Sequence, residues 1–501
     1  MGVDPRTPCI VGVAQQTWHP GGDPAPEPLA MWEVVTRAAA TDAGAPGVLS
    51  DLQGVNVVHC ASWSYDDPPR RLADRLRTRP GPRTTSILAG TSHQRLVDTA
   101  AGRILGGETD VELVVGGEAL ATLRTLRRAG VEPRWSHGHP VTGPPIDIDA
   151  WFLPTELAHG VVPAWLTFAL LDDARRHWLR INPAEHATHC GRLLATMSGV
   201  AANNPHAWFP VSYTADEITL PTPGNRLVAT PYTKRMVAFP DVDMAAATIV
   251  MSTAAADRLG VPLDRRVYLR SWGFGRDAVH LAARDQLHAS PAMHTVFADT
   301  LGRAGLTVDD IATFDLYSCF PSSVDFARDA LGLAADDPRG VTVTGGLPFH
   351  GAPSANYMGH SVAGVVERVR AGTGPALVTG VGMHMTKHVA AVYGAEPGVV
   401  VPPDPALERS LDDRPRRTVV SAADGFATVA AQTVVHGRDG LPTHAVVICT
   451  SSAGDRCYAR TDDPGTIADM VDHPWTGRVV ELRSTGGTNE VRALATALAA
   501  R

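Results

Sequence analysis

Two similar α/β halves, an inserted cover and a small all-β module at the C-terminus are the architecture this sequence predicts, on three observations. A buried-strand run ending in glycines occurs twice, at 111–117 and at 376–382. Amphipathic helical stretches precede both runs, so strands and helices alternate as in layered domains with crossover connections. After Glu396 a Pro-rich stretch, 397–405, leads into a series of strand-like runs with no helical period.

The elements follow in order. Residues 9–13 and 55–60 read as strands, and 28–42 as a helix with Leu29, Trp32, Val35 and Ala38 on one face. Gly90-Thr91-Ser92-His93 opens a second helix, with Ser92 as the expected N-cap and Gly106 as the stop. Leu96, Val97, Ala100, Ala101, Ile104 and Leu105 form its apolar stripe. In the second half Ser290 caps a helix that has Pro291 at its first position, and Met293, Val296, Phe297 and Leu301 line its inner face. A strand at 311–316 ends on Tyr317-Ser318-Cys319-Phe320. A glycine-rich turn at 344–353 then leads to a helix carrying Met358, Val362, Val365, Val366 and Val369.

Between the halves, 121–240 is rich in Trp, His and Pro with weak periodicity, and reads as an irregular loop domain covering a site. Runs at 417–421, 426–435, 445–451 and 478–482 predict a small β-barrel. The predicted division is 1–120 with 241–270 as the first half, 121–240 as the loop domain, 271–397 as the second half and 410–501 as the barrel.

With 501 residues there is chain for about three domains. A 44% apolar and 19% charged composition can bury a large core. A net charge of −8 with no long block of one sign gives no case for a nucleic acid or a membrane surface as partner. The first residues lack a basic segment followed by an apolar run, and no later stretch reaches about 18 apolar residues, so a soluble cytoplasmic protein is expected. Six widely spread cysteines contain no C-x-x-C pair; free thiols and no metal centre are expected. Lys234 and Lys387 are the only lysines among 44 basic residues, which puts both on the list of phosphate contacts to check.

Over about residues 5–395 the chain resembles the thiolase superfamily, in particular the actinobacterial thiolase-like proteins and the sterol carrier protein X type thiolases. The resemblance rests on Cys9-Ile-Val-Gly-Val-Ala-Gln15, Gly116-Gly-Glu-Ala119, Pro231-Tyr-Thr-Lys234, Asp243-Met-Ala-Ala246, and Gly345-Gly-Leu347 ahead of Gly351-Ala-Pro353, in this order. It implies the thiolase fold, two βαβαβ halves in layers with an inserted loop domain. It also implies an acyl-CoA or other acyl thioester as substrate, no tightly bound cofactor, and a homodimer as one allowed state.

The resemblance fails at the family's chemical groups. The C-x-S-G nucleophile motif falls on Gly90-Thr91-Ser92-His93, the G-H-P motif on Gly351-Ala352-Pro353, the C-x-G motif near Val378-Thr379-Gly380, and the N-E-A-F loop on Tyr317-Ser318-Cys319-Phe320. Thiolytic cleavage through an acyl-cysteine is therefore excluded at position 90. The groups left for chemistry are Tyr317, His350, His93 and His384, with Cys319, His360 and His388 in the same expected pocket. Ser92, Lys234, Arg226, Tyr357, Gly380 and Gly382 are expected to bind substrate, with Lys234, Arg226 and Arg235 on the nucleotide phosphates.

Three functions fit. The first is aldol-type carbon–carbon chemistry, in which a Tyr317 of lowered pKa takes a hydroxyl proton and backbone N–H groups hold the enolate. Thiolase-like aldolases of steroid side-chain degradation, which this sequence resembles, work with an OB-fold partner that the C-terminal barrel would supply in cis. The second is direct acyl transfer with neutral His350 or His93 as base. The third is a non-catalytic acyl-CoA binding or scaffold protein.

Overall fold

A computed structural model of the chain describes residues 3–22, 24–140 and 148–494. Its first sheet gathers β1 (Pro8–Thr17), β2 (Gly54–Val57), β3 (Arg83–Thr85), β4 (Val111–Ala119), β7 (Asp243–Ser252), β8 (Val267–Arg276), β9 (Thr313–Asp315), β10 (Ala376–Gly382) and β11 (Lys387–Gly394). They lie in the order β3-β2-β4-β7-β1-β8-β11-β10-β9. Read outward from the β1–β8 seam, the two sides repeat each other. The pairs β7 and β11, β4 and β10, and β2 and β9 hold matching places. The seam itself is antiparallel and short, with Cys9 opposite Tyr268 and Ile10 opposite Val267. The two α/β halves expected from the glycine-ended runs are thus related by an approximate two-fold through the middle of one sheet.

Alternation along β1, shifted by one residue at an irregularity between Ile10 and Gly12, separates the two cores. Cys9 and Val11 join Trp32, Val35 and Ala39 of the helix Pro28–Asp42 on one face, whereas Ile10 and Val13 join Leu96, Val97 and Val365 on the other. On that second face the helices Ser92–Gly106 and Tyr357–Arg370 pack together. Gly359 permits their approach, since a Cβ there would lie 2.8 Å from His93 Cε1.

Helix bounds at Pro28–Asp42 and the Ser290 cap, which accepts from Met293 N, match expectation. Other local expectations need correction. The helix after Gly90 is preceded by Thr91 in a helical conformation with no side-chain cap, and Ser92 Oγ instead donates to the Ile87 carbonyl at 2.7 Å. Strands β2 and β9 are shorter than 55–60 and 311–316. Residues 417–421 are not a strand and contribute one bridge, Val419 with Arg456.

The segment 121–240 is less irregular than its composition suggests. It holds the helices Ala164–Trp178 and Pro183–Ala202, the second capped reciprocally by Asn182 and Glu185. Its short strands β5 (Leu227–Ala229) and β6 (Tyr232–Thr233) extend the edge of a second sheet. The rest of that sheet is β12 (Gly425–His436), β13 (Pro442–Ser451), β14 (Arg456–Thr461), β15 (Val479–Thr485) and β16 (Thr488–Leu494). The five pair as β13-β14-β16-β15-β12, and a further β12–β13 pairing closes the ring into a barrel. Strands β14 and β16 run parallel, and the helix Pro464–Asp472 lies between β14 and β15 in sequence.

The barrel is docked by apolar packing, since Ala431, Val435, Val446 and Ile448 belong to the main core, and by polar contacts. Tyr458 donates to Glu156 at 2.7 Å and accepts from Ala282 N at 3.0 Å, and Asn489 N donates to His159 Nε2 at 2.8 Å. Among the described residues no helix is long and apolar enough to cross a membrane.

Candidate active site

The ends of β9 and β10 and the start of the helix Tyr357–Arg370 meet in one buried cluster. Tyr317 follows β9; its N–H donates to Thr379 Oγ1 on β10 at 3.0 Å, and its carbonyl accepts from Ser323 Oγ at 2.9 Å. The Tyr317 ring meets Tyr357 edge-on at 5.5 Å between centroids, His350 meets Tyr357 at 5.9 Å, and His350 meets His360 at 5.0 Å. Asp315 anchors this arrangement from below. Its carboxylate accepts from Ser361 Oγ at 2.7 Å and Val343 N at 2.9 Å, tying the helix to the glycine-rich turn. Tyr357 donates to Thr344 Oγ1 at 2.6 Å, and Thr344 Oγ1 donates on to Asp315.

Hydrogen-bond partners sort the cluster into donors and acceptors. Asn204 Oδ1 accepts from His206 N, which leaves Asn204 Nδ2 to donate to the Thr344 carbonyl and to His350 Nδ1 at 3.3 Å. His350 Nδ1 is therefore the acceptor, and the proton sits on Nε2. His360 Nδ1 faces Gln15 Oε1 at 3.0 Å and is a donor there, so its Nε2 carries a free lone pair. Asn356 Oδ1 receives His93 Nδ1 at 2.8 Å. His350 Nε2, His360 Nε2 and Asn356 Nδ2 are all buried without a hydrogen-bond partner. Native interiors leave few such atoms, so these three, two of them on rings whose centroids lie 5.0 Å apart, lack the partners that buried polar groups ordinarily have.

Burial governs the protonation states. It lowers His350 to about 3, with His206 adding to the effect, and lowers His360 well below the ordinary imidazole value, with His350, His206 and His93 adding. Both rings are neutral at physiological pH. Tyr317 departs from the expected lowered pKa: burial, and then Cys319, raise it, because no cation or donor stands by to hold a phenolate. Tyr317 is thus a proton donor, and no hydrogen bond engages its hydroxyl among the described residues. The Cys319 thiol is pushed up to about 12 by burial and stays protonated.

The other expected site residues fall as follows. His93 is fully buried with both nitrogens engaged, by Asn356 and by Thr248 Oγ1 at 3.0 Å, and burial lowers it to about 4; it has no free lone pair. His384 takes its partner from the cover, Thr167 Oγ1 at 2.8 Å, and its ring meets Phe152. His388 pairs with Asp277 at 2.9 Å. Gly380 and Gly382 lie in β10 opposite Val389 and Lys387. Lys234 is exposed; its N–H bonds the Arg226 carbonyl at 2.9 Å beside β5 and β6, and the Arg226 guanidinium donates to Leu227 O at 2.8 Å. Arg235 lies over the Tyr213 ring at 4.7 Å.

At Gly90, a Cβ would lie 2.7 Å from Tyr317 Cζ and nearer still to its hydroxyl and to the Val381 carbonyl. Tyr317 occupies the room a side chain at position 90 would use. Next to the histidines is a cavity of about 460 Å³ whose lining includes Gln15, Asn204, His206 and Thr344. Three of these hold His360, His350 and Tyr357 directly. Gln15, Asn204 and Asn356 were missed in the sequence, where nothing sets them apart from ordinary amides beside other polar or turn residues.

The two repeated halves, the inserted helices and the site at the strand ends define a thiolase-like protein. A family model described as "Thiolase-like protein type 1 additional C-terminal domain" matches residues 406–487. The crystal structure of a monomeric SCP2-thiolase-like protein type 1 from Mycobacterium smegmatis is 31% identical, with a TM-score of 0.85, over 98% of this chain and 100% of that one. The chain belongs to the SCP2-thiolase-like protein type 1 family. More distant in sequence, an Ltp2-ChsH2(DUF35) aldolase is 18% identical with a TM-score of 0.60, over 78% of this chain and 98% of that one. The 3-ketoacyl-CoA thiolase of Escherichia coli (strain K12 / MC4100 / BW2952) is 36% identical over 157 residues. That match spans 28% of this chain and 34% of the curated thiolase.

Proposed function

We propose that the protein makes or breaks a carbon–carbon bond next to the carbonyl of a CoA thioester by enolate chemistry, with no acyl-enzyme. The observation that carries this reading is the set of three unpaired polar atoms, two donors and one acceptor, in a cluster that holds no nucleophile at position 90. In the cleavage direction His360 Nε2 takes the proton of a β-hydroxyl. The Cα–Cβ bond breaks, its electron pair passes to the thioester oxygen, and an aldehyde or ketone departs. His350 Nε2–H and Asn356 Nδ2–H donate to the enolate oxygen, and Tyr317 donates to the departing carbonyl. The proton on His360 then returns to Cα, giving the shortened acyl-CoA. Burial makes His360 a weak base, and a negative charge developing beside it raises its affinity for the proton.

The barrel supports the same reading. Its strand order, the parallel β14–β16 pair and the intervening helix match a five-stranded OB arrangement, and one relative in fold is named an aldolase with a DUF35 component. In this reading, with the chain divided as 1–120 with 241–270, 121–240, 271–397 and 410–501, the CoA thioester is held through the loop domain and the first half, with Lys234 and Arg226 at the nucleotide phosphates.

One observation favours a second reading, a non-catalytic acyl-CoA binder: Tyr317 fills the space beside Gly90. Incubation with a set of β-hydroxyacyl-CoAs, followed by mass spectrometry for the shortened acyl-CoA and the carbonyl product, separates the two. Product that disappears in His360→Gln supports enolate chemistry, and binding without product supports the binder.

A further inference from the structure

We propose that Asp172, His186 and Cys190 form a zinc-type metal site that joins the helices Ala164–Trp178 and Pro183–Ala202. His186 and Cys190 are four residues apart and share one face of their helix, and Asp172 comes from the neighbouring helix. All three are buried, and their ligand atoms lie within 4.8 Å of one another. His186 Nε2 is 3.1 Å from Asp172 Oδ1 and 3.6 Å from Cys190 Sγ. Bonds of about 2.0–2.3 Å to a tetrahedral zinc place nitrogen and oxygen about 3.3 Å apart, and nitrogen and sulfur about 3.6 Å apart.

The arrangement is not that of a nucleophile–histidine–carboxylate relay. A relay uses both ring nitrogens, one for the acid and one for the nucleophile. Here the carboxylate and the thiol converge on the same Nε2, as ligands converge on an ion. Asp172 is fully buried and its carboxylate faces the His186 ring, which Asp172 and then Cys190 hold protonated against the desolvation of burial; a metal ion bound here takes the place of that proton. A dication bound by one carboxylate, one thiolate and one neutral imidazole leaves no net charge in the interior. The thiolate and imidazole select zinc over magnesium or calcium.

A water completes the coordination. A cavity of about 50 Å³ lined by His186, Thr230, Gln432 and Met470 adjoins the site and gives it an entry path. The role is structural. Asp173, next to the ligand, accepts from Gln432 N at 3.0 Å and from the Thr476 hydroxyl, so the site braces the point where the cover helix meets the barrel.

The test uses the intact chain and simple metal salts. Protein produced with zinc in the medium should carry about one zinc per chain by elemental analysis, and chelation should lower its melting temperature, with recovery on adding zinc. Cobalt should give a thiolate charge-transfer band in the wild type, and Cys190→Ser should lose that band and bind zinc at least about tenfold more weakly. A wild type that takes up neither metal, or a Cys190→Ser variant that binds zinc as tightly as wild type, overturns the proposal. If the variant does not fold, the cobalt spectrum of the wild type alone decides, since a spectrum without the thiolate band overturns it.

Discussion

Gly90→Ala asks whether Tyr317 has taken the room of a side chain at the nucleophile position. The new Cβ would stand 2.7 Å from Tyr317 Cζ and closer to the Tyr317 hydroxyl and the Val381 carbonyl oxygen. Relaxed contacts are about 3.5–4.0 Å, so each neighbour has to retreat by about 1 Å. Neither yields easily. Val381 is paired across β10 and β11 with His388, and the Tyr317 backbone is held at both its N–H and its carbonyl. Overpacking a core typically costs about 1–3 kcal/mol, and two fixed neighbours place this substitution near the top, at about 3 kcal/mol. The assay is urea denaturation of the intact chain followed by tryptophan fluorescence. In a Tyr317→Ala background one obstacle is gone, and Gly90→Ala should cost about 1–2 kcal/mol less. Equal cost in both backgrounds, or a Gly90→Ala protein as stable as wild type, would refute the assignment.

Tyr317→Phe removes a hydroxyl that bonds nothing among the described residues, so stability should hardly change while turnover on a β-hydroxyacyl-CoA falls about 10²-fold; a destabilised variant with an unchanged rate per folded molecule would remove Tyr317 from the mechanism. Acid should destabilise through the buried histidines. His350 sits at about 3 in the fold and near 6.5 when unfolded, so the unfolded chain binds the extra proton between those values. Its contribution is complete above about pH 6.5 and is lost as pH falls towards 3. Asp98, pushed up to about 7 by burial, acts in the opposite sense over part of this range. The comparison is therefore between wild type and His350→Gln, whose melting temperature should fall less steeply from about pH 7 to about pH 5; parallel slopes would contradict the burial argument.

The repeated halves were legible because strands buried on both faces read as continuous apolar runs, and the run at 376–382 coincides with β10. Strands β14 and β16 escaped notice: each is short, and β16 carries Asn489, Glu490 and Arg492 in its seven residues. The helices of 121–240 were obscured by buried polar residues: Asp172, Asp173, Arg175 and Arg176 interrupt the apolar face of Ala164–Trp178, and Arg175 and Asp173 find partners, Asp329 and Gln432, far along the chain. The loss of the thiolase groups could be read from Gly90 and Ala352 alone. What replaces them could not, because the proton positions on His350 and His360 depend on Asn204 and Gln15, which lie 146 and 345 residues away. The metal cluster was hidden for a related reason: Cys190 finds a histidine one helical turn back and an aspartate on another helix, a spacing with no resemblance to paired cysteines.

Exchange of the α-protons of a CoA thioester with deuterated water tests the central claim most directly, since it detects the enolate whatever the natural acceptor is. Acetyl-CoA and propionyl-CoA, incubated with the protein in D₂O and followed by NMR, should gain deuterium at Cα in the wild type. His360→Gln should lose that exchange at least about 10²-fold. No exchange with wild-type protein that demonstrably binds the thioester, or undiminished exchange in His360→Gln, would contradict the account.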